Sequence, residues 1–156
     1  MPFTPSEAGV AVASVLKGRA KFRPITMAQA TLSDGQTLLA FNDLFIGRRS
    51  HASAFYTIEH AGQREVHSSS GVIVSTGAGS TGWLSSCYNM ARGLSAEGDA
   101  VALAHEGAAH SRPRGSFAWE AEQLRFVVRE PFASRSSQAN LVTGDITPNA
   151  PLKLES

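Results

Sequence analysis

From Ala54 to His60 the chain alternates: Ala54, Tyr56 and Ile58 fall on one side, Phe55, Thr57 and Glu59 on the other. A period of two belongs to a β-strand, whose successive side chains point to opposite faces. The run ends at Ala61-Gly62, a turn signal, and Arg64–His67 leads back. A strand that returns through a tight turn has an antiparallel neighbour. Asp34-Gly35 makes the same statement between an extended stretch, Phe22–Leu32, and a return strand, Thr37–Phe41, that continues through Leu44–Ile46. Gly71–Val74 reads as a buried strand, Leu124–Val128 as a β-branched one, and Leu141–Thr143 and Leu152–Leu154 as shorter ones. Many short strands with turn punctuation predict a β-sandwich or barrel rather than βαβ units.

Helical patterns are few. Thr4 as N-cap, Pro5 at the first helical position and Glu7 as capping-box partner open one helix. Val12, Val15 and Leu16 recur along it and Gly18 stops it. Trp83, Cys87, Met90 and Leu94 fall on one face of a second helix. Ser95–Gly115 reads mostly as connections, with one strand at Val101–Leu103. The expected class is mainly β with one or two helices.

Composition narrows the function classes. At 156 residues and 42% hydrophobic, the chain has one domain's worth of core. A net charge of +1 argues against nucleic acid as a partner, because duplex binding needs concentrated Lys and Arg. The single cysteine, Cys87, excludes an internal disulfide or a Cys-cluster zinc site. No apolar run approaches the roughly 20 residues of a membrane span, and Met1–Thr4 shows no signal-peptide pattern. The expectation is a cytoplasmic protein without a membrane partner.

The loop Ser75–Gly82 is the first candidate site. Gly77, Gly79 and Gly82 allow close backbone approach and permit φ > 0. Ser75, Thr76, Ser80 and Thr81 add hydroxyls, and amides near Thr81–Leu84 open a helix that favours an anion or a polar ligand edge. A tight strand-to-helix turn explains the same composition equally well. No Lys follows the last glycines, so this is not a Walker A loop. Asn42-Asp43 is the second candidate: the amide donates and accepts at once, although both residues also suit a turn or bulge. Arg48-Arg49 could meet a phosphate or end a strand, and Trp83 and Tyr56 could stack on a base or fill a core. The five histidines show no metal-ligand spacing and read mostly as surface or edge residues; no metal site is expected.

Two stretches taken together resemble a known family. Phe41-Asn42-Asp43-Leu44-Phe45-Ile46-Gly47 resembles the Asn-Glu/Asp motif of NAD kinases. Ser70-Gly71-Val72-Ile73-Val74-Ser75-Thr76-Gly77-Ala78-Gly79-Ser80-Thr81-Gly82-Trp83 resembles that family's glycine-rich motif, D-G-(apolar)3-S-T-P-T-G-S-T-A-Y. Their order and approximate spacing match the family. Ser70 stands for Asp, Gly77 for Pro, Ala78 for Thr, Gly82 for Ala and Trp83 for Tyr. Those departures, with Arg129-Glu130-Pro131-Phe132-Ala133-Ser134-Arg135, look like the mitochondrial-type NAD kinase branch.

The resemblance implies a fold and an activity. The fold is the β-sandwich-like C-terminal domain of the NAD kinase / diacylglycerol kinase-like fold. The activity is phosphorylation of the adenosine-ribose 2′-hydroxyl of NAD, using ATP and Mg²⁺. Asn42 and Asp43 would hold the NAD adenosine, Thr81, Gly82 and Ser86 would contact an adenine, and Trp83 would pack against the nucleotide. Ser70 matches an acidic position near the nicotinamide side and has lost its charge. The family's catalytic Asp lies in a Gly-Gly-Asp-Gly motif of an N-terminal α/β domain, and the only Gly-Asp pairs here are Gly98-Asp99 and Gly144-Asp145. The expectation is therefore the NAD-binding half, a homo-oligomerising β domain without a catalytic residue of its own. A non-catalytic dinucleotide-binding or oligomerisation module, and a lipid or sugar kinase-like homologue, are the alternatives.

Overall fold

The computed structural model describes residues 4–98 and 115–156. A 3₁₀ turn, Pro5–Glu7, leads into helix α1, Ala8–Leu16. Strands β1 (Ala28–Thr31) and β2 (Thr37–Ala40) form a hairpin, and β3 (Asp43–Ile46) follows. Strands β4 (Ala54–His60) and β5 (Gln63–Ser69) form a second hairpin, and β6 (Gly71–Ser75) enters the glycine loop. Helix α2 (Trp83–Gly98), β7 (Leu124–Arg129), β8 (Thr143–Ile146) and β9 (Lys153–Glu155) complete the order. Among the described residues, no helix is long and apolar enough to cross a membrane.

The strands make an all-antiparallel four-stranded sheet, β3-β6-β7-β8, a three-stranded sheet, β5-β4-β9, and the β1–β2 pair. Tyr56 and Ile58 of β4 pack on Val72 and Val74 of β6 and on Phe126 and Val128 of β7. The two larger sheets thus close one core face to face, as the alternation at Ala54–His60 requires. The Ala61-Gly62 turn has both residues at positive φ, 48° and 79°, the geometry that matches strand twist in a two-residue hairpin. At Asp34-Gly35 the Asp34 carboxylate caps the Gln36 amide at 3.0 Å, and Gly35 has φ 83°.

Segment 132–141 crosses from β7 to β8 along the outer edge of β5. Phe132 and Gln138 amides donate to the carbonyls of Ser68 and Val66, each at 2.8 Å. The Glu65 carboxylate accepts from the amides of Asn140 and Leu141 at 3.1 and 3.0 Å, and His67 Nε2 lies 3.0 Å from it. Burial pushes the Glu65 carboxyl up, but the Leu141 amide, His67 and the Asn140 amide together leave it below its ordinary value.

Several sequence expectations need correction. The extended stretch Phe22–Leu32 joins a sheet only at Ala28–Thr31. Leu44–Ile46 does not continue β2; β3 crosses to pair with β6 in another sheet. The strand expected at Leu141–Thr143 begins at Thr143 instead. Val101–Leu103 lies outside the described residues. His67 is fully buried and His60 nearly so, because β4 and β5 turn these positions into the sandwich. The spacing of Val12, Val15 and Leu16 buries none of them in α1.

Phe126→Ala should cost about 3–5 kcal/mol in a urea titration, because Phe126 is 0% exposed. Phe55→Ala, on the opposite face of β4 at 59% exposed, should change stability by about 0.5 kcal/mol or less. Because the folded Glu65 carboxyl sits below 4.5, its contribution is complete above that pH and disappears as pH falls through the folded value. Urea midpoints of the wild type and Glu65→Gln should therefore converge on acidification; curves that stay parallel down to about pH 3 would refute the role given to Glu65.

Candidate functional site

The register of β3 on β6 builds the site. Asp43 pairs with Ser75, so the residues just beyond, Asn42 and Thr76, meet where both strands end. The Thr76 amide donates to the Asn42 carbonyl at 2.9 Å. The Thr76 hydroxyl donates to the Phe41 carbonyl at 2.6 Å and accepts from the Gly79 amide at 3.1 Å. The Ser80 hydroxyl donates to the Gly77 carbonyl at 2.7 Å and accepts from the Phe117 amide at 3.2 Å. Ser75 shares its hydroxyl with the Thr76 carbonyl at 3.2 Å. Ser75, Thr76 and Ser80 are all fully buried. Their hydroxyls are turned inward and hold the loop's shape.

The glycines act by their missing Cβ rather than by positive φ, which Gly77, Gly79 and Gly82 do not adopt. A Cβ on Gly79 would lie 2.3 Å from the Asn42 carbonyl oxygen and 2.7 Å from Asp43 Oδ1. One on Gly77 would lie 2.0 Å from the Ala118 carbonyl oxygen. The loop is thus pressed between the Asn42-Asp43 turn and the 115–120 segment, and glycine is what fits. Gly82 is less pressed, a Cβ there lying 3.3 Å from the Gly79 carbonyl oxygen, which would have to give by a few tenths of an ångström.

What faces outward is Asn42, Thr81 and Gly82, all exposed. Asp43 is half-buried, and its Oδ1 is buried without a hydrogen-bond partner. An unmet buried acceptor costs on the order of 1–3 kcal/mol. The Ser85 hydroxyl donates to the carbonyls of Thr81 and Gly82 at 2.9 and 2.8 Å, fixing the start of α2. Ser86 is exposed and reaches the Gly82 carbonyl at 3.3 Å.

A second cluster lies at the other end of β6. Ser70 precedes that strand and Ser75 ends it, so Ser70 sits about 16 Å from the Asn42-Asp43 turn. The Ser70 hydroxyl donates to the Glu130 carboxylate, and the Ser70 amide to the Arg129 carbonyl at 3.0 Å. Arg129 donates to the other Glu130 oxygen at 3.2 Å and lies over the Trp83 ring, 5.2 Å from its centroid. Trp83 stacks on Phe45 at 5.5 Å. The Ser70 hydroxyl and Arg129 hold the Glu130 carboxyl below its ordinary value. Glu130 itself has φ 49°, a left-handed backbone that costs a non-glycine residue of order 1–3 kcal/mol. Pro131 follows it, and a proline restricts the residue before it further.

Beside the second cluster α2 and β7–β8 enclose a groove of about 520 Å³, lined by Trp83, Ser86, Cys87, Met90, Arg129 and Glu130 among others and by no residue of the glycine loop. Trp83, Met90 and Leu94 share one helical face as expected, but that face opens onto the groove at 40%, 52% and 65% exposed rather than filling a core. Burial pushes the Cys87 thiol up, which keeps it a poor nucleophile. A larger hollow of about 890 Å³, between the β1–β2 turn and β4 and β9, contains Arg48 and Tyr56 but no residue of the glycine loop. Tyr56 is a core residue there, its hydroxyl 2.8 Å from Ser69 Oγ.

Sequence reading missed Arg125 and Asp145. Asp43, Ser75, Arg125 and Asp145 occupy one cross-strand row over all four strands. Arg125 makes a bidentate pair with Asp145 at 2.6 and 3.0 Å and lies over the Phe117 ring. No signal in the linear sequence brings those four residues into register. Among the described residues, no group of three or more His, Cys, Asp or Glu could hold a metal ion.

No family model matches the sequence, and no curated protein matches it. Solved structures do match, and they define the architecture: this is an NAD kinase-like fold, mainly β with two helices. One match is the crystal structure of yeast NADH kinase complexed with NADH, with a TM-score of 0.50 and 15% identity. The match covers 99% of this chain and 47% of that one, so the chain spans about half the length of its structural neighbour.

Gly79→Ala should destabilise the fold by about 1–3 kcal/mol, since strand ends must part to admit the methyl group. Gly82→Ala, whose added methyl meets a 3.3 Å contact rather than a 2.3 Å one, should cost less than Gly79→Ala. Thermal midpoints of the two variants, compared with the wild type, check the contrast.

Proposed function

We propose that this chain is the dinucleotide-binding module of an NAD kinase-like phosphotransferase, the half that presents NAD to a catalytic aspartate carried elsewhere. The observation that carries the reading is the seating of Asn42-Asp43 on Gly79, which leaves the Asn42 side chain exposed beside a half-buried carboxylate. The buried Asp43 oxygen faces Gly79 and braces the turn, while the exposed Asn42 side chain can donate to and accept from one adenosine. Thr81 and Gly82, exposed beside this turn, offer a hydroxyl and a close backbone to the base. The two motifs that resemble the family's are far apart in sequence yet joined here by direct hydrogen bonds.

Catalysis of phosphoryl transfer rests on positioning and charge stabilisation. In this reading Asn42 and Asp43 hold the ribose so that its 2′-hydroxyl faces the missing base and the phosphate donor. ATP and Mg²⁺ belong to the whole enzyme: the described residues gather no carboxylate set that fits the ion. The β-rich domain also serves as the homo-oligomer contact in this proposal, as the family resemblance implies. The mitochondrial-type branch is the proposed placement, from the Ser70, Gly77 and Trp83 departures.

Calorimetric titration with NAD, and with ATP for comparison, tests the reading. NAD should bind in preference to ATP, and Asn42→Ala should weaken NAD by about tenfold or more, the equivalent of one lost hydrogen bond to a well-placed group. His51→Ala, an exposed residue away from the loop, should leave affinity unchanged. Equal affinities for the Asn42 and His51 variants would sink the assignment.

A further inference from the structure

We infer that Glu130 is a specificity residue: its carboxylate accepts an N–H donor from the distal end of the bound dinucleotide and repels an anion there. The inference rests on the NAD-binding reading above and assigns a ligand contact at the far end of the same site.

The placement comes first. Glu130 lines the groove together with Trp83 and Ser86, at the end of β6 away from Asn42-Asp43. The two carboxylate sites are separated by the length of one short strand, about 16 Å. A single nucleoside anchored at Asn42-Asp43 would fall short of Glu130, whereas a dinucleotide is long enough to touch both.

The carboxylate is also held ready. One oxygen accepts from the Ser70 hydroxyl and the other from Arg129, yet an ionised carboxylate has about four acceptor positions, so two remain. The side chain is 56% exposed, which leaves those positions reachable. Arg129 pairs with one Glu130 oxygen and offsets part of its charge, but the unfilled positions on the carboxylate are acceptors only, which an N–H can meet and a carboxylate cannot.

The backbone is the independent observation. Glu130 and Ala61 are the only non-glycine residues with positive φ among the described ones. Ala61 sits in a tight hairpin turn, and Glu130 sits where the chain leaves β7 and crosses to the edge of β5. Glycine or asparagine would adopt φ 49° with less strain. A glutamate kept there in spite of strain, aimed at a groove, is a position where function outweighs folding ease.

An N–H acceptor at this end distinguishes an amide from an acid. NAD ends in a carboxamide; its deamidated counterpart ends in a carboxylate, which Glu130 would repel. Titration of both dinucleotides into the wild type should give at least about a tenfold preference for the amide form, as like-charge juxtaposition requires. In Glu130→Gln the preference should fall about tenfold or invert, because Arg129 is then free to favour the acid. Glu130→Gly should lose the discrimination while its thermal midpoint stays at or above that of the wild type, an outcome that a purely structural glutamate would not give. Binding of NAD with the same ratio in wild type and Glu130→Gln would overturn this inference alone. Binding of neither dinucleotide to the wild type would overturn the dinucleotide reading and this inference with it.

Discussion

The burial of β6 on both faces is the constraint from which the site follows. Every residue from Gly71 to Ser75 is buried, Val72 and Val74 toward the second sheet, and Ile73 and Ser75 toward the face where α2 lies. A strand hydrogen-bonded to β3 on one side and β7 on the other, and covered above and below, has no freedom to slip. Its two ends are therefore fixed points. One end presents the glycine loop to Asn42-Asp43, and the other presents Ser70 to Glu130. The distance between them is set by the core and not by the loops.

Much of the fold was legible in sequence because its local signals agree with its packing. The alternation from Ala54 to His60 is a strand of those bounds, and Ala61-Gly62 is its turn. The strand–loop–helix order around the glycines held as well, with β6 before the loop and α2 after it. The failures share a cause. Leu44–Ile46 was readable as a strand, but which strand it joins depends on a partner almost thirty residues later. His60 and His67 look like surface residues by type, and only the pairing of β4 with β5 turns them inward.

The site was legible as chemistry and not as geometry. Asn42-Asp43 and the loop could be singled out as candidates, but which of their atoms are exposed could not. Ser75, Thr76 and Ser80 support the loop from within. Gly77 and Gly79 matter for steric room rather than for unusual φ. Arg125 and Asp145 were not singled out as a pair, since their significance lies in register, which is not written in spacing.

The strap formed by residues 132–141 bears on how the protein behaves when crowded. An uncovered strand edge is a template on which a foreign strand can assemble, and β5 is an edge of its sheet. Hydrogen bonds from Phe132 and Gln138, and the amides gathered by Glu65, close that edge from within the chain. The bend at Ser134–Ser137 is largely exposed and tied by its own hydroxyls. A single protease cut there would leave every core residue in place. It would also uncork the sheet, so the nicked protein would be lost from solution as fibrils or aggregates well before it was lost as a fold.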